Sequence, residues 1–218
     1  LTPALLLLFV RFRDYEDPQY DKVAFFSTIQ EIWRRKDIYK IMMCNFLLRL
    51  FYSWMVIYTP IYLHKTLGIP FSEIVGIIMP IALLPFMLFE FALGKIADIR
   101  FGEKEILSIG FVFTAITTAL LTFVTSSHIL VWAGLLFLTR TGASFIEIMS
   151  ETYFYKKIDA TDSHLIGYYK NLRPLAYLVG PLIATGVLFF LDYQFLFLVL
   201  GGIMLYGLRY SLTINDTK

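Results

Sequence analysis

Arg140, Ser144, Glu147 and Glu151 stand four, three and four residues apart. On an α-helix that spacing places them in one stripe. Their surroundings, residues 129–137 with Phe145, Ile146 and Met149, are apolar enough for lipid. Ionisable groups in such a setting cost roughly 2.5–3.5 kcal/mol each on insertion scales, and they face a bundle interior or a water-filled path. After a short polar turn, Lys170 and Arg173 stand one turn apart ahead of another apolar run. An ion pair between Glu147 and Lys170 or Arg173 suits a hairpin of two such helices. It either pins the helices together or lies on a solute path, and the residues leave both open. A second set lies upstream, with Arg49 near the middle of an apolar run and Asn45 and Tyr52 on nearby faces.

Other chemistries lack their residues. His64, His128 and His164 fall in three different connections and cannot share a metal, and no cofactor motif is present. The only cysteine, Cys44, excludes an internal disulfide. No G-x-S-x-G and no glycine-rich phosphate loop occurs. An intramembrane hydrolase would need a Ser/His, Asp/Asp or metal-ligand set at one depth, and none is found.

Composition sets the class. The 218 residues are 58% hydrophobic, 17% aromatic and 17% charged, with mean hydropathy +0.68. Soluble domains are about a quarter charged and under half apolar. An all-α integral membrane protein is expected. The net charge of +2 gives no sign of a nucleic-acid partner; membrane lipids are the expected surroundings.

The elements that must position the charges follow in order. Residues 1–10 are expected to end a preceding transmembrane helix, as the run is too short to cross alone. Residues 11–39 form a polar connection. Within it, residues 23–36 put Phe25, Phe26, Ile29, Ile32 and Trp33 on one face and end in Arg34, Arg35 and Lys36. That pattern predicts an amphipathic helix on the membrane surface. Residues 40–213 hold six predicted spans: 40–63, 71–97, 105–125, 129–154, 164–190 and 194–212. Each is about 20 residues or longer, enough to cross. A tail, 214–218, follows. Short separators make sequential helices antiparallel neighbours. Lys and Arg gather in alternate connections: residues 11–40, 95–104, Lys156 with Lys157, and Arg209 with Lys218, against Lys65 alone on the other side. The positive-inside rule then places both ends in the cytoplasm. A cell (plasma or inner) membrane is the expected location.

The strongest local motif joins the second and third spans: Gly94-Lys95-Ile96-Ala97-Asp98-Ile99-Arg100-Phe101-Gly102-Glu103-Lys104. It resembles the G-x-L-A-D-x-x-G-[RK]-[RK] loop of major facilitator superfamily transporters. Here Gly102 follows Asp98 by four residues instead of three, and Glu103 stands where the family has a basic residue. The surface helix and six following spans extend the resemblance over almost the whole chain, as the second half of a twelve-helix bundle. The resemblance implies a missing N-terminal six-helix half and a secondary transporter that moves a small solute by alternating access. It also implies a cytoplasmic gate loop of Gly94, Asp98, Arg100, Gly102 and Lys104, with Glu151 in the place of the family's acidic residue at the end of helix ten. Asp98 is expected to serve a helix of the first half. The translocation path is expected to include Arg49, Asn45, Tyr52, Arg140, Ser144 and Arg173. Glu147 and Lys170 form the expected coupling pair, broken by protonation of Glu147. With Glu147 so assigned, and Glu90 and Glu151 near the basic loop, Arg49 and Arg140 have no evident acidic partner. An unpaired buried guanidinium is costly, so each is expected to meet water, backbone carbonyls, a carboxylate of the missing half or an anionic substrate, and a substrate with a carboxylate or phosphate group is one of these readings. The competing class is a six-helix assembly factor or membrane enzyme without transport activity.

Overall fold

A computed structural model describes residues 25–99 and 102–215, with the side chains of residues 90–99 and 160 left out of the description. The expected helix end at 1–10, most of the polar connection before residue 25 and the last residues of the tail lie outside it. Among the described residues every regular element is helical. A short helix, α1 (Phe25–Arg34), precedes α2 (Lys36–Lys65). α3 (Met79–Ile99) is entered through Phe71–Glu73 and a π-helical segment, Ile74–Ile78. α4 (Glu103–Leu120) ends in a 3₁₀ turn, and α5 (Ile129–Lys157) follows. α6 (Ser163–Leu188), α7 (Phe195–Tyr206) and the one-turn α8 (Leu208–Ser211) complete the chain.

Four of these are long and apolar enough to cross a membrane: Lys36–Lys65, Phe71–Phe89, Glu103–Phe123 and Ile129–Lys157. Six crossings were expected. α6 has the length, about 39 Å at 1.5 Å per residue. Its first half, however, carries His164, Lys170, Asn171 and Arg173, and its second half contains Pro181. α7 is shorter and continues past Gly207 into α8.

α2 is the hub. It packs against α5, α6, α7 and α8, and α1 folds back on its start. Residues on every side of it are buried, among them Ile41, Cys44, Leu48, Phe51, Trp54 and Leu63. α5 packs on α4, α3 and α2, and α7 on α4 and α2. α6 packs chiefly on α2, so it is not flush with α5, its neighbour in sequence. The Trp54 indole N–H donates to the Gly180 carbonyl at 2.8 Å, and a Cβ on Gly180 would come within 2.7 Å of Ser53 Oγ. Much of α3 and α6 is left open, with Leu84, Met87, Leu88, Leu178 and Leu182 exposed.

The α4–α5 contact depends on two facing glycines. A Cβ on Gly110 would lie 3.0 Å from the Gly142 carbonyl oxygen, and one on Gly142 would lie 2.8 Å from the Thr114 backbone nitrogen. Small residues let helices approach this closely in lipid, where dispersion replaces the hydrophobic drive. Gly142→Ala should therefore force the two backbones apart, at about 1–3 kcal/mol. Gly134→Ala, on the same helix with nothing within 4 Å of its Cβ, should be neutral or slightly stabilising. Thermal midpoints in detergent compare them, and equal midpoints would refute the close-packing account.

α1 is clamped to the turn between α5 and α6. Arg35 donates to Asp162 Oδ2 at 2.7 Å and to the Lys157 carbonyl at 2.9 Å. His164 Nε2 lies 3.0 Å from Glu31 Oε2. The Asp162 carboxyl is held below its ordinary value: burial opposes this but is outweighed by hydrogen bonds from Arg35 and from the Asp159 backbone and by the Arg35 charge. A carboxyl so depressed contributes stability that is complete above its unfolded value, near 3.8, and is lost as pH falls through the lower folded one. Asp162→Asn should loosen α1 at neutral pH, whereas the native chain should loosen only on acidification below about pH 4. Hydrogen exchange of residues 25–35, corrected for intrinsic rates, measures this. An unchanged α1 in the variant would show that the clamp does not hold it.

Candidate functional site

The polar cluster lies where α2 and α5 cross antiparallel, some 15 Å from the Lys157 end of α5 at 1.5 Å per residue. α5 supplies the stripe read from the sequence, and α2 supplies Asn45, Arg49 and Tyr52, spaced four and three apart. Arg49 Nη1 donates to Glu147 Oε1 at 2.7 Å, and its Nη2 donates to Glu151 Oε1 at 3.1 Å. One guanidinium therefore bridges two carboxylates a helical turn apart. The Tyr52 hydroxyl donates to the other Glu147 oxygen, Oε2, at 2.8 Å. The Arg49 side chain is 13% exposed and that of Glu147 24%, so the pair is largely desolvated yet reachable.

Asn45 extends the network. Its amide oxygen accepts from Arg49 Nε at 3.4 Å, and its amide nitrogen donates to the Tyr169 hydroxyl at 2.7 Å. Tyr169 OH donates to Ser150 Oγ at 3.4 Å, and Ser150 Oγ donates to the Glu147 carbonyl at 3.1 Å. A line of polar groups thus runs from α2 through α6 to α5. Tyr169 stacks on Phe154 with ring centroids 4.0 Å apart.

Arg140, two turns from Glu147 along the stripe, is held differently. It is 5% exposed. Its guanidinium carbon lies 5.4 Å from the Phe51 ring centroid and 5.3 Å from that of Tyr52. Desolvated cation–π contacts are worth about 2 kcal/mol. Nε has no hydrogen-bond partner, and among the described residues Arg140 makes no ion pair.

Several expectations are corrected. Glu147 does not pair with Lys170 or Arg173, which are both exposed on α6; it pairs with Arg49 of α2. Tyr169 takes the position on α6 that faces the cluster, and Lys170, one residue on, is turned about 100° away. Arg49 is not left without an acidic partner, since it has two. Ser144 is fully buried and donates to the Thr141 carbonyl at 2.8 Å, so it serves its own helix. Tyr169 and Ser150 join the cluster without having been singled out. The signal for Ser150 was its place one residue before Glu151; Tyr169 is adjacent to Lys170 but had no charge to mark it.

The loop after α3 is described only in part. Gly94 and Asp98 lie in α3 with side chains outside the description, and Arg100 lies outside it altogether. The expected service of Asp98 to another helix lies outside it too. Gly102 is buried at the start of α4, and Lys104 sits in its first turn. Glu103, 1% exposed, accepts from Lys156 Nζ at 2.7 Å, tying this loop to the end of α5. Where the family loop has a basic residue, this chain has an acid that finds a lysine.

A family model, Major Facilitator Superfamily, matches residues 41–213. The chain belongs to the major facilitator superfamily. It is a multi-pass protein of a family of membrane transporters, whose members act on small-molecule solutes and are generally not enzymes. No curated protein matches it. The match covers α2 to α8 and so contains the whole Arg49–Glu147 cluster. Among the described residues of this facilitator, no group of three or more His, Cys, Asp or Glu side chains is placed to hold a metal.

The geometry predicts strong coupling between Arg49 and Glu147. Arg49→Gln leaves two half-buried carboxylates side by side, a loss of about 3–5 kcal/mol. Glu147→Gln in that background should restore part of it, giving an interaction energy of about 1.5–3 kcal/mol in a double-mutant cycle. The same cycle with Lys170→Gln in place of Arg49→Gln should give none. Thermal unfolding in detergent reads all three, and coupling to Lys170 as large as to Arg49 would overturn the pairing.

Proposed function

We propose that this chain forms the C-terminal half of a secondary active transporter that moves a small solute by alternating access, coupled to protons. On this reading α2 to α8 make six crossings, with residues 25–34 as the amphipathic end of a central cytoplasmic loop, both chain ends in the cytoplasm and the whole in a cell membrane. The alternation of Lys and Arg between connections supports the orientation. The open apolar faces of α3 and α6 support an upstream six-helix half that covers them.

The observation that carries the reading is the Arg49 bridge. A guanidinium shared by Glu147 and Glu151, inside apolar helices and still reachable, is a charge arrangement with two states. With both carboxylates ionised, Arg49 and Tyr52 lock α2 to α5. With a proton on Glu147, Oε1 loses most of its attraction for Arg49 and the lock weakens. A proton entering from one side therefore biases which arrangement of the helices is populated. Asn45, Tyr52, Arg140 and Arg173 line or border the proposed path, and an anionic solute suits its arginines. The loop from Gly94 to Lys104, with Asp98 and Arg100, acts as the cytoplasmic gate together with Glu151.

The test is uptake into proteoliposomes under an imposed pH gradient, using the full-length protein and a panel of small solutes. The native protein should accumulate its solute only when the gradient is present. Glu147→Gln should reduce that accumulation to the level of passive exchange while counterflow of the same solute persists. Gradient-driven accumulation undiminished in Glu147→Gln would end the proposal that this residue carries the coupled proton.

A further inference from the structure

Two neighbouring surfaces at the start of α2 take no part in the polar cluster. The first is an apolar groove of about 340 Å³, walled by Ile29 and Trp33 of α1, Met42 and Phe46 of α2, and Leu172 and Leu175 of α6. Among the described residues no charged side chain lines it. Phe46 lies about 15 Å along α2 from Lys36 at 1.5 Å per residue, so the groove reaches well below the helix start. The second is a basic hollow of about 460 Å³ at the bend between α1 and α2, whose lining includes Arg34, Lys36, Lys40 and Lys157 with Asp37. The two surfaces adjoin. Trp33 lines the groove and Arg34 the hollow; Tyr39 lines the groove and Lys40 the hollow. The Trp33 and Tyr39 rings, with centroids 5.4 Å apart, form the shared rim.

Charge decides what fits. Asp37 is the one acid lining the hollow among the described residues, and Lys40 and Lys157 share it at 3.8 and 3.6 Å. Arg35 is taken by Asp162. Arg34 and Lys36 are exposed and make no ion pair or side-chain hydrogen bond among the described residues. Two uncommitted cations therefore stand beside an open apolar groove. An uncharged apolar segment would fill the groove and leave the cations unmet. A free anion would meet the cations and leave the groove empty. A molecule with an anionic head and an apolar tail satisfies both. We propose that this is a binding site for one anionic phospholipid, with its phosphate on Arg34 and Lys36 and an acyl chain in the groove between α1, α2 and α6. The proposal rests on the reading that α1 lies at a membrane surface; it is independent of which solute is carried and of proton coupling. A lipid seated there would hold α1 against α2 and α6, beside the Arg35–Asp162 clamp.

The experiment uses the full-length protein in phosphatidylcholine vesicles with a minor share of a lipid brominated on its acyl chain, either phosphatidylglycerol or phosphatidylcholine. Trp33 is 67% exposed, whereas Trp54 and Trp132 are buried, so the quenching lost in Trp33→Phe is the Trp33 signal. Phosphatidylglycerol should associate at least about fivefold in preference to phosphatidylcholine, the factor that one basic residue near an anionic lipid supplies. Arg34→Gln with Lys36→Gln should bring the two lipids level; Arg34→Lys with Lys36→Arg should keep the preference. Phe46→Trp in the Trp33→Phe background should report the same preference at the deep end of the groove. Inorganic phosphate should not displace the lipid. Equal quenching by the two lipids overturns the proposal, as does a preference that survives loss of both cations. A preference at Trp33 with none at position 46 shows a lipid on the surface of α1 alone and overturns it too. No quenching at either position shows the groove filled by protein, from an upstream half or a second copy, with the same consequence. Displacement by inorganic phosphate shows a free-anion site and also ends the proposal. None of these readouts needs flux, so a failure of the transport reading leaves them standing.

Discussion

The arrangement of the site depends on one guanidinium serving two carboxylates in an apolar bundle. Arg49 reaches Glu147 and Glu151 because α2 and α5 cross antiparallel at one level, and because residues four apart on α5 face the same way. Arg49 and Glu147 are largely removed from water, and each would be costly there without the other. The surrounding structure is consistent with that constraint. α2 is buried on most sides, and the Arg49 side chain is only 13% exposed. Asn45 and Tyr52 then complete the hydrogen bonding that the three charges leave open.

Aromatic residues provide the second layer. Tyr52 has two roles: its hydroxyl donates to Glu147, and its ring covers Arg140. The two arginines are therefore linked through one side chain, though they are two helical turns apart on different helices. The ring that covers Arg140 therefore belongs to the same side chain that hydrogen-bonds Glu147. At the far end of the bundle, Tyr62, Trp132 and Phe197 pack edge to face, with Tyr62 5.8 Å from Trp132 and 5.3 Å from Phe197. That cluster ties α2, α5 and α7 to one another.

How much of this was legible in the sequence differs by element. The α5 stripe was, because a 3.6-residue period in an apolar run has one geometric meaning. The family was, because the residue types around Gly94 and Asp98 match a family pattern and a family model matches residues 41–213. The partner of Glu147 was not. Short connections suggested that α5 and α6 pack as a hairpin, but α6 lies chiefly on α2, and the partner comes from a helix ninety-odd positions upstream. α2 hid its role because a helix buried all round carries no amphipathic signal. Tyr169 was overlooked for a related reason: it is neutral, and the adjacent Lys170 drew the assignment by its charge.

The misassignment changes which helices the charge joins. Had Glu147 bound Lys170, it would have joined α5 to α6, helices that barely meet outside the Phe154–Tyr169 stack. Its attachment to Arg49 instead places the charge between α2 and α5, which are already in firm contact. The crossing it fixes joins α2, which also packs on α6, α7 and α8, to α5, which also packs on α3 and α4. α6 is joined to that crossing through Trp54 and Gly180, and it keeps Lys170 and Arg173 on an exposed face, away from Glu147.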